Sequence, residues 1–408
     1  MKLSVISFTA GGAALSAAVR EALEQEAEVT VYTKHKSSES GEDDFRETGR
    51  SEKADSTRAS GGIEKADSTK EYDRFGKADS TKGHGKLGKI SNITENCNQW
   101  AEYVRDTLSA WTGAQFHSQN ALLFIGASGI AVRAIAPYVK DKLEDPAVLV
   151  MDEAGRFVIP LLSGHYGGAN ELAEKLAERL GATAVLTTAT DVNGLFAVDV
   201  FARKNNLIIC NRNGIKAVSS AVLAGERVTM AIAGDHQEKL PVELTRVLYP
   251  PADRVSVVVS PYRKDAGRAE LQLCPRAYYI GIGCRRGKLL SEIEDAVEKQ
   301  LQKAGIRREA LAALASIDLK MREPGLLQLA EKYHLPFQTY SQEELKRIPG
   351  EFTASSFVQE QVGVDNVCER AALAASGEGG RLLIRKYAEN GITVAMAVRK
   401  WSVTFDEA

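Results

Sequence analysis

The chain has 408 residues, 44% hydrophobic and 26% charged, with a formal net charge of −2. That length exceeds one ordinary core and the composition sits near globular averages, which excludes a wholly disordered chain and a membrane-resident one. A near-neutral total gives no general attraction to nucleic acid or anionic lipid, so only local basic pockets need be sought.

At the start, Lys2 to Phe8 alternates like a strand, Gly11 and Gly12 suggest a turn, and Ala14 to Gln25 has helical apolar spacing. This favours a folded βα unit over a signal peptide. Residues 36–90 are dominated by Lys, Asp, Ser, Thr and Gly, and KADST recurs at Lys53, Lys65 and Lys77. The repeat is too short and too polar to stack an apolar face, so a disordered insertion is expected. Residues 91–112 read as a helix, Ala121 to Gly126 as a strand, and Ile130 to Lys140 as a helix. Ala147 to Met151 and Phe157 to Leu162 read as a hairpin joined by DEAGR. Leu172, Ala173, Leu176, Ala177 and Leu180 mark one face of a helix closed by Gly181, and Ala184 to Thr188 reads as a further strand.

From Val192 to about Glu270 the elements are shorter: an apolar Leu207 to Cys210, a helix near Ile215 to Leu223, and a strand at Arg254 to Val259. Pro250-Pro251 and residues 261–268 (PYRKDAGR) read as linkers. Tyr278 to Gly283 opens a new unit as a strand, followed by a long amphipathic helix through Leu289, Ile293, Val297 and Leu301 up to Gly305. A helix at Leu326 to Tyr333, the strand PFQTY, a helix at Asp365 to Ala375 and a hairpin turning at Glu389-Asn390-Gly391 complete the chain. The expected architecture is α/β and multi-domain: three-layer α/β/α N-terminal (1–194) and C-terminal (271–408) domains joined by a smaller middle region (195–270). No run of about 18 apolar residues predicts a spanning helix. Cys97, Cys210, Cys274, Cys284 and Cys368 are scattered, with no C-x-x-C and no His at ligand spacing. Reduced thiols in a cytoplasm and no protein metal site are expected.

In open α/β sheets ligands lie beyond the carboxyl ends of strands, so strand-to-helix joints have the best positional claim to function. Four joints qualify. Gly126, Ser128 and Gly129, with Arg133 one turn on, offer a close backbone approach and a helix start that favours an anion, although such glycines are as often structural. Ser163, Gly164, His165, Tyr166, Gly167 and Gly168 form a polar joint, with Asn170 as helix cap and Glu171 in the first turn. An imidazole there can exchange a proton at neutral pH, which suits hydrolysis; the bland alternative is a polar corner and an ordinary cap. Thr187, Thr188, Thr190 and Asp191 supply hydroxyls and one carboxylate, or only a polar turn. Gly283, Arg285, Arg286 and Lys288, placed at a helix start, suit carboxylates or phosphates. Asp152 and Glu153 are acid/base by type but fit solvated hairpin residues better. Cys284 is a weaker nucleophile candidate because no base accompanies it.

The stretches FIGASGIAVRAIAPYVKDK (Phe124 to Lys142), DPAVLVMDEAGRFVIPLLSGHYGGANELA (Asp145 to Ala173) and TTATD (Thr187 to Asp191) resemble the N-terminal region of the CbiG family, the cobalt-precorrin-5A hydrolases of anaerobic cobalamin biosynthesis. GIGCRRGK (Gly281 to Lys288), VGVDNVCERAALAAS and ITVAMAV resemble the C-terminal domain of that family, which is similar to the stand-alone protein CobE. The 36–90 insertion departs from the pattern. The resemblance implies hydrolysis of a cobalt corrinoid: a δ-lactone is opened and the former meso carbon C20 leaves with its methyl group as acetaldehyde. Cobalt then arrives inside the substrate and no cofactor is needed. The substrate's acetates and propionates give Arg133, Arg285, Arg286 and Lys288 a purpose.

On residue chemistry and position, His165 or Asp191 is expected to activate water, with Ser163 or the glycine N–H groups meeting the oxyanion. Gly126, Ser128, Gly129, Gly164, Gly167, Gly168, Asn170, Thr188, Thr190 and Gly283 are expected to line the substrate. Transient hand-over to neighbouring pathway enzymes is expected, with neither nucleic acid nor membrane as partner. The competing readings are a non-catalytic corrinoid carrier and a nucleotide-dependent enzyme, against which the missing phosphate-binding fingerprints count.

Overall fold

The computed structural model describes residues 1–35, 101–237, 239–354, 360 and 363–405. The expected KADST insertion, Cys97 and the first part of the helix expected at 91–112 lie outside the described residues. The chain divides into two compact units, Met1–Val185 and Leu186–Ala408.

The first unit is built on a seven-stranded sheet. Its elements are β1 (Lys2–Ser7), α1 (Ala10–Leu23), β2 (Glu28–Thr33), β3 (Glu102–Tyr103), α2 (Leu108–Gln115), β4 (Asn120–Ile125), α3 (Ser128–Ile135), β5 (Ala147–Met151), β6 (Phe157–Leu162), α4 (Ala169–Leu180) and β7 (Thr183–Ala184). The strand order is β3-β2-β1-β4-β5-β6-β7, and all neighbours are parallel except β5 and β6. β1 and β4 are buried almost throughout because both faces are covered. α1 packs with α4 and α2 with α3, one pair on each face, as right-handed crossovers leaving β1 in opposite directions require.

Several expectations shift here. Gly11 and Gly12 belong to α1, not to a turn: Thr9 caps the helix, its hydroxyl accepting the Gly12 N–H at 3.1 Å. A side chain at Gly12 would meet Ser7 Cβ at 3.2 Å and Ile125 Cγ2 at 3.4 Å, so glycine lets α1 close on the sheet. Within 101–112, Glu102–Tyr103 is an edge strand and the helix starts only at Leu108, capped by Thr107. α3 stops at Ile135, where Pro137 removes a donor and ends the ladder. β7 is shorter than expected: it pairs with Phe157 and Val158 alone, and β6 carries Pro160, which cannot donate, just beyond.

The second unit holds two five-stranded sheets. After α5 (Ala189–Asn193) and α6 (Val198–Lys204) come β8 (Leu207–Ile209), α7 (Asn213–Leu223), β9 (Val228–Ile232), β10 (Asp235–His236), β11 (Leu244–Val247), β12 (Val255–Val259) and β13 (Ala269–Pro275). The first sheet runs β11-β9-β12-β13-β8, with only the β13/β8 pair antiparallel. Residues 261–268 are no linker. Asp265, 1% exposed, accepts the Tyr249 hydroxyl at 2.7 Å and a bond from Ser260, and Arg263 donates to the Ile306 carbonyl at 2.7 Å. A buried carboxylate needs such partners, and they pin the segment.

The second sheet runs β16-β15-β14-β18-β17. It comprises β14 (Tyr278–Cys284), α8 (Leu290–Ala304), β15 (Leu311–Ile317), α9 (Pro324–Tyr333), β16 (Phe337–Tyr340), α10 (Gln342–Arg347), α11 (Cys368–Ser376), β17 (Arg381–Glu389) and β18 (Ile392–Val398); β19 (Ser402–Val403) returns to pair with β10. Side chains alternate across a strand, so Ile280 and Ile282 meet Ile293 and Val297 of α8 while Gly281 faces α11. A Cβ at Gly281 would stand 1.9 Å from the Cys368 carbonyl oxygen. Asn390 and Gly391, with φ of 50° and 73°, form the tight β17–β18 turn. The fold is thus α/β, with several sheets and interleaved helices.

Candidate functional site

In the first unit the connections from β1 and β4 leave in opposite directions, so the topological switch point lies between the carboxyl ends of these two strands. The β4–α3 joint stands there. Gly126 has φ of 152°, its N–H donates to the Met151 carbonyl at 2.9 Å, and a Cβ on it would press on the Phe8 ring at 3.1 Å. The β1 joint supplies Thr9 and Gly11. Thr9 donates its hydroxyl to Glu153 Oε1 at 2.9 Å, which ties the β5–β6 turn to the start of α1. Two helix N-termini, those of α1 and α3, therefore open on one edge with neither first turn carrying an acidic residue. Such ends attract anions. Arg133 is exposed and donates to the Gly129 carbonyl at 3.0 Å, folded back over the joint. Asp152 closes the hairpin turn: burial opposes its ionisation, but bonds from Phe157 and Arg156 hold its carboxyl below the usual range.

The Ser163–Asn170 joint is elsewhere. Because β6 is antiparallel to β5, with Leu162 opposite Val148, this joint stands at the amino ends of β4 and β5. The five-residue β5 separates it from Gly126 by roughly 15–20 Å at about 3.3 Å per residue. Ser163 and His165 are therefore not brought together with Gly126, Ser128, Gly129 or Arg133. Ser163 adopts φ of 54° and its hydroxyl donates to the Asp145 carbonyl at 2.9 Å. The loop folds on itself. A Cβ at Gly167 would lie 2.3 Å from Ser163 Cβ, and one at Gly164 would lie 2.5 Å from Asn170 Oδ1. Gly168, at φ of 82°, is the cap of α4, so Asn170 is the second helical residue and not the cap expected from sequence. Glu171 lies in the first turn, as its charge predicts. His165 is half-buried in this loop.

In the second unit Thr188 is the N-cap residue of α5, Thr190 is buried and Asp191 lies in the first turn. The GIGCRRGK basic residues precede α8, which begins at Leu290, so they occupy a loop rather than a helix start. Glu292 accepts the Leu289 N–H at 3.0 Å and Lys288 at 2.6 Å, so this helix start already has its own carboxylate. Gly283 faces Thr393, where a Cβ would stand 2.6 Å from Oγ1; it serves packing. Arg285 and Arg286 are exposed. Burial pushes the Cys284 thiol up, which speaks against a thiolate nucleophile.

Sequence reasoning missed three features. Gly11 was read with Gly12 as an ordinary turn and Thr9 drew no reading, and only the strand order reveals their place at the switch point. Glu153 looked like a solvated hairpin residue until its bond to Thr9 placed it there. The β15–α9 loop touches the basic loop through the Gly287 N–H, which donates to Glu323 at 2.6 Å, and it carries the exposed Leu319, Met321 and Arg322. Among the described residues no group of three His, Cys, Asp or Glu side chains is placed to hold a metal ion, and no helix is long and apolar enough to cross a membrane.

Glycine-bearing polar joints at the edges of open sheets define a ligand-binding α/β protein. Three family models match in chain order: Cobalamin synthesis G N-terminal over residues 110–191, Cobalamin biosynthesis central region over 196–275, and Cobalamin synthesis G C-terminus over 278–397. The chain is 38% identical over 296 residues to the cobalt-precorrin-5A hydrolase of Salmonella typhimurium, covering 69% of this chain and 83% of that one. It is 34% identical over 302 residues to the cobalt-precorrin-5A hydrolase of Priestia megaterium, covering 69% and 79%. Protein CobE of a Sinorhizobium species is 29% identical over 119 residues, covering 29% of this chain and 77% of that one. The chain belongs to the cobalamin synthesis G family, CbiG.

Proposed function

We propose that this protein is a cobalt-precorrin-5A hydrolase. Water opens the δ-lactone of the ring-contracted corrinoid and C20 departs with its methyl group as acetaldehyde, leaving cobalt-precorrin-5B. The observation that carries this reading is the ordered match of all three family segments, joined by 38% identity to a relative of that name. Cobalt belongs to the substrate, and in this reading the protein needs no cofactor of its own. The same proposal sets the reaction in the cytoplasm and includes transient hand-over to neighbouring cobalamin-pathway enzymes.

Hydrolysis needs a base, a home for the oxyanion, and cations for the substrate's carboxylates. His165 is the proposed base, with Asp191 as the alternative and Thr188 and Thr190 as substrate contacts beside it. The N–H groups of Gly168, Ala169 and Asn170 are already bonded within the His165 loop. An oxyanion there would therefore rely on Ser163 turning its hydroxyl away from Asp145. The Gly126–Arg133 joint and the Arg285–Arg286 loop are proposed to take carboxylates, by helix-end N–H groups at the first and by guanidinium forks at the second.

Acetaldehyde release from cobalt-precorrin-5A tests the reading. The His165→Ala protein is expected to lose about 10²- to 10⁴-fold in kcat. Wild-type turnover by that variant would remove His165 from the mechanism, and the Asp191→Asn protein then tests the alternative. Stoichiometric corrinoid binding by the wild-type protein without acetaldehyde release would replace the hydrolase by a carrier.

A further inference from the structure

Because β14 and β15 pair in parallel, their carboxyl ends deliver two loops to one edge of the second sheet: residues 285–289 before α8 and residues 318–323 before α9. Glu323 is the N-cap residue of α9, yet its side chain does not cap that helix. A carboxylate in this position would ordinarily accept an N–H of its own first turn. That of Glu323 reaches across instead: Oε1 accepts the Gly287 N–H at 2.6 Å and Oε2 accepts Lys320 Nζ at 2.9 Å. The residue is 6% exposed. Burial opposes its ionisation, but the bonds from Lys320 and Gly287 hold its carboxyl below the usual range. The two loops meet closely, since a Cβ at Gly325 would stand 2.4 Å from the Lys288 carbonyl oxygen.

A buried carboxylate is costly unless it is paired and hydrogen-bonded, and here both conditions are met without using an arginine. Lys320 neutralises Glu323 as Glu292 neutralises Lys288, so Arg286 makes no ion pair among the described residues. The backbone is held on either side of Arg286: the Arg285 N–H donates to the Gly391 carbonyl at 2.9 Å, and the Gly287 N–H to Glu323. Arg285 has a second support of its own, because its stem lies against the β17–β18 turn, where a Cβ at Gly391 would stand 2.9 Å from Arg285 Cδ. Arg286 depends on the Glu323 clamp. Fixing the point from which a charged stem departs removes part of the ordering cost of binding, while the guanidinium itself keeps its reach. We propose that Glu323 is a positioning residue, holding the backbone from which Arg286 meets a carboxylate of the substrate; this rests on the corrinoid reading above.

The Kd of the full-length protein for cobalt-precorrin-5A is measured by equilibrium dialysis, with KM and kcat for acetaldehyde release alongside. Glu323→Asp keeps the charge and is a good helix cap, but it is one methylene too short for Gly287. Glu323→Gln keeps the reach and an oxygen for that N–H. The Asp variant is expected to raise Kd and KM about tenfold with kcat changed less than about twofold, and the Gln variant to stay within about threefold of wild type. In an Arg286→Gln background, Glu323→Asp should add less than about twofold, because the group it positions is gone. A residue that serves only the fold would lower the melting temperature in both backgrounds and leave Kd alone. Wild-type Kd in Glu323→Asp, a Gln variant as weak as the Asp one, or the full loss persisting in the Arg286→Gln background overturns the proposal. With normal wild-type turnover those results overturn this inference alone. A wild-type protein that neither binds nor converts cobalt-precorrin-5A overturns the functional reading and this inference with it.

Discussion

Replacing Gly11 by Asp separates substrate binding from folding at the β1–β4 crevice. No atom lies within 4 Å of where the new Cβ would stand, the position is exposed, and the first turn of α1 holds no acidic residue. A carboxylate there complements the helix dipole by about 0.3–1 kcal/mol, and removing a helical glycine adds a few tenths. The variant is therefore expected to be as stable as the parent or slightly more so. A substrate carboxylate seated on the two helix starts would lie about 5 Å from the new charge, a repulsion of about 3 kcal/mol at an effective dielectric of 20. Solvent exposure reduces this to about 1.4 kcal/mol, or tenfold in KM. Steady-state acetaldehyde release as a function of substrate concentration reads it, with Gly11→Asn as the uncharged control of matching size. Equal KM values for the Asp and Asn variants would refute the assignment of the crevice to substrate carboxylates.

Gly281→Ala drives a methyl group into the backbone of α11, at 1.9 Å from the Cys368 oxygen and 2.7 Å from the Ala372 nitrogen, and should cost about 3 kcal/mol or more in urea denaturation. Gly287→Ala, in open space at φ of 79°, should cost only about 1 kcal/mol. Asp365 is held below the usual carboxylate range by its 2.7 Å bond to Arg370. Its contribution should be fully present above the unfolded value near 4 and fade as pH falls through the depressed folded value. The stability difference between wild type and Asp365→Asn, measured from pH 6 downwards, should shrink in that window; a difference constant to pH 2 contradicts it. Cys210 shares a hydrogen bond with Cys274 that lowers its own thiol and raises its partner's, whereas burial raises Cys284 and pushes Cys368 up to about 12. Iodoacetamide at pH 8 followed by peptide mass spectrometry should find Cys210 modified first of these four.

The regular elements were legible wherever apolar period and glycine punctuation agreed, as in α4 with its Gly181 cap and in the Asn390-Gly391 hairpin. β9, β11 and β13 were not, because short buried runs such as Val228–Ile232 carry no period that separates strand from loop. The candidate site was legible as a set of joints and illegible as a place. Residue types at 126–133 and 163–170 pointed to ligand contact, and the DEAGR hairpin already set β6 antiparallel to β5, but which edge each joint occupies also depends on the parallel placing of β4 beside β1 and β5, and that pairing is a long-range property. Thr9 shows the converse: an unremarkable cap residue acquires a functional neighbourhood only through strand order.

The β14 glycines that meet α11 and Thr393 bear on how a ligand could be held at that end of the sheet. With Gly281 and Gly283 committed to tight packing, the fixed backbone offers little to a visitor, and the reach falls to Arg285 and Arg286 in the loop beyond. Each guanidinium sits on a long stem that surrenders up to about 2 kcal/mol of rotational freedom when it settles. In the proposed reaction, capture there would be loose and adaptable, able to follow carboxylates whose spacing changes from one intermediate to the next, whereas the helix starts beside Gly11 and Gly126 would demand one geometry.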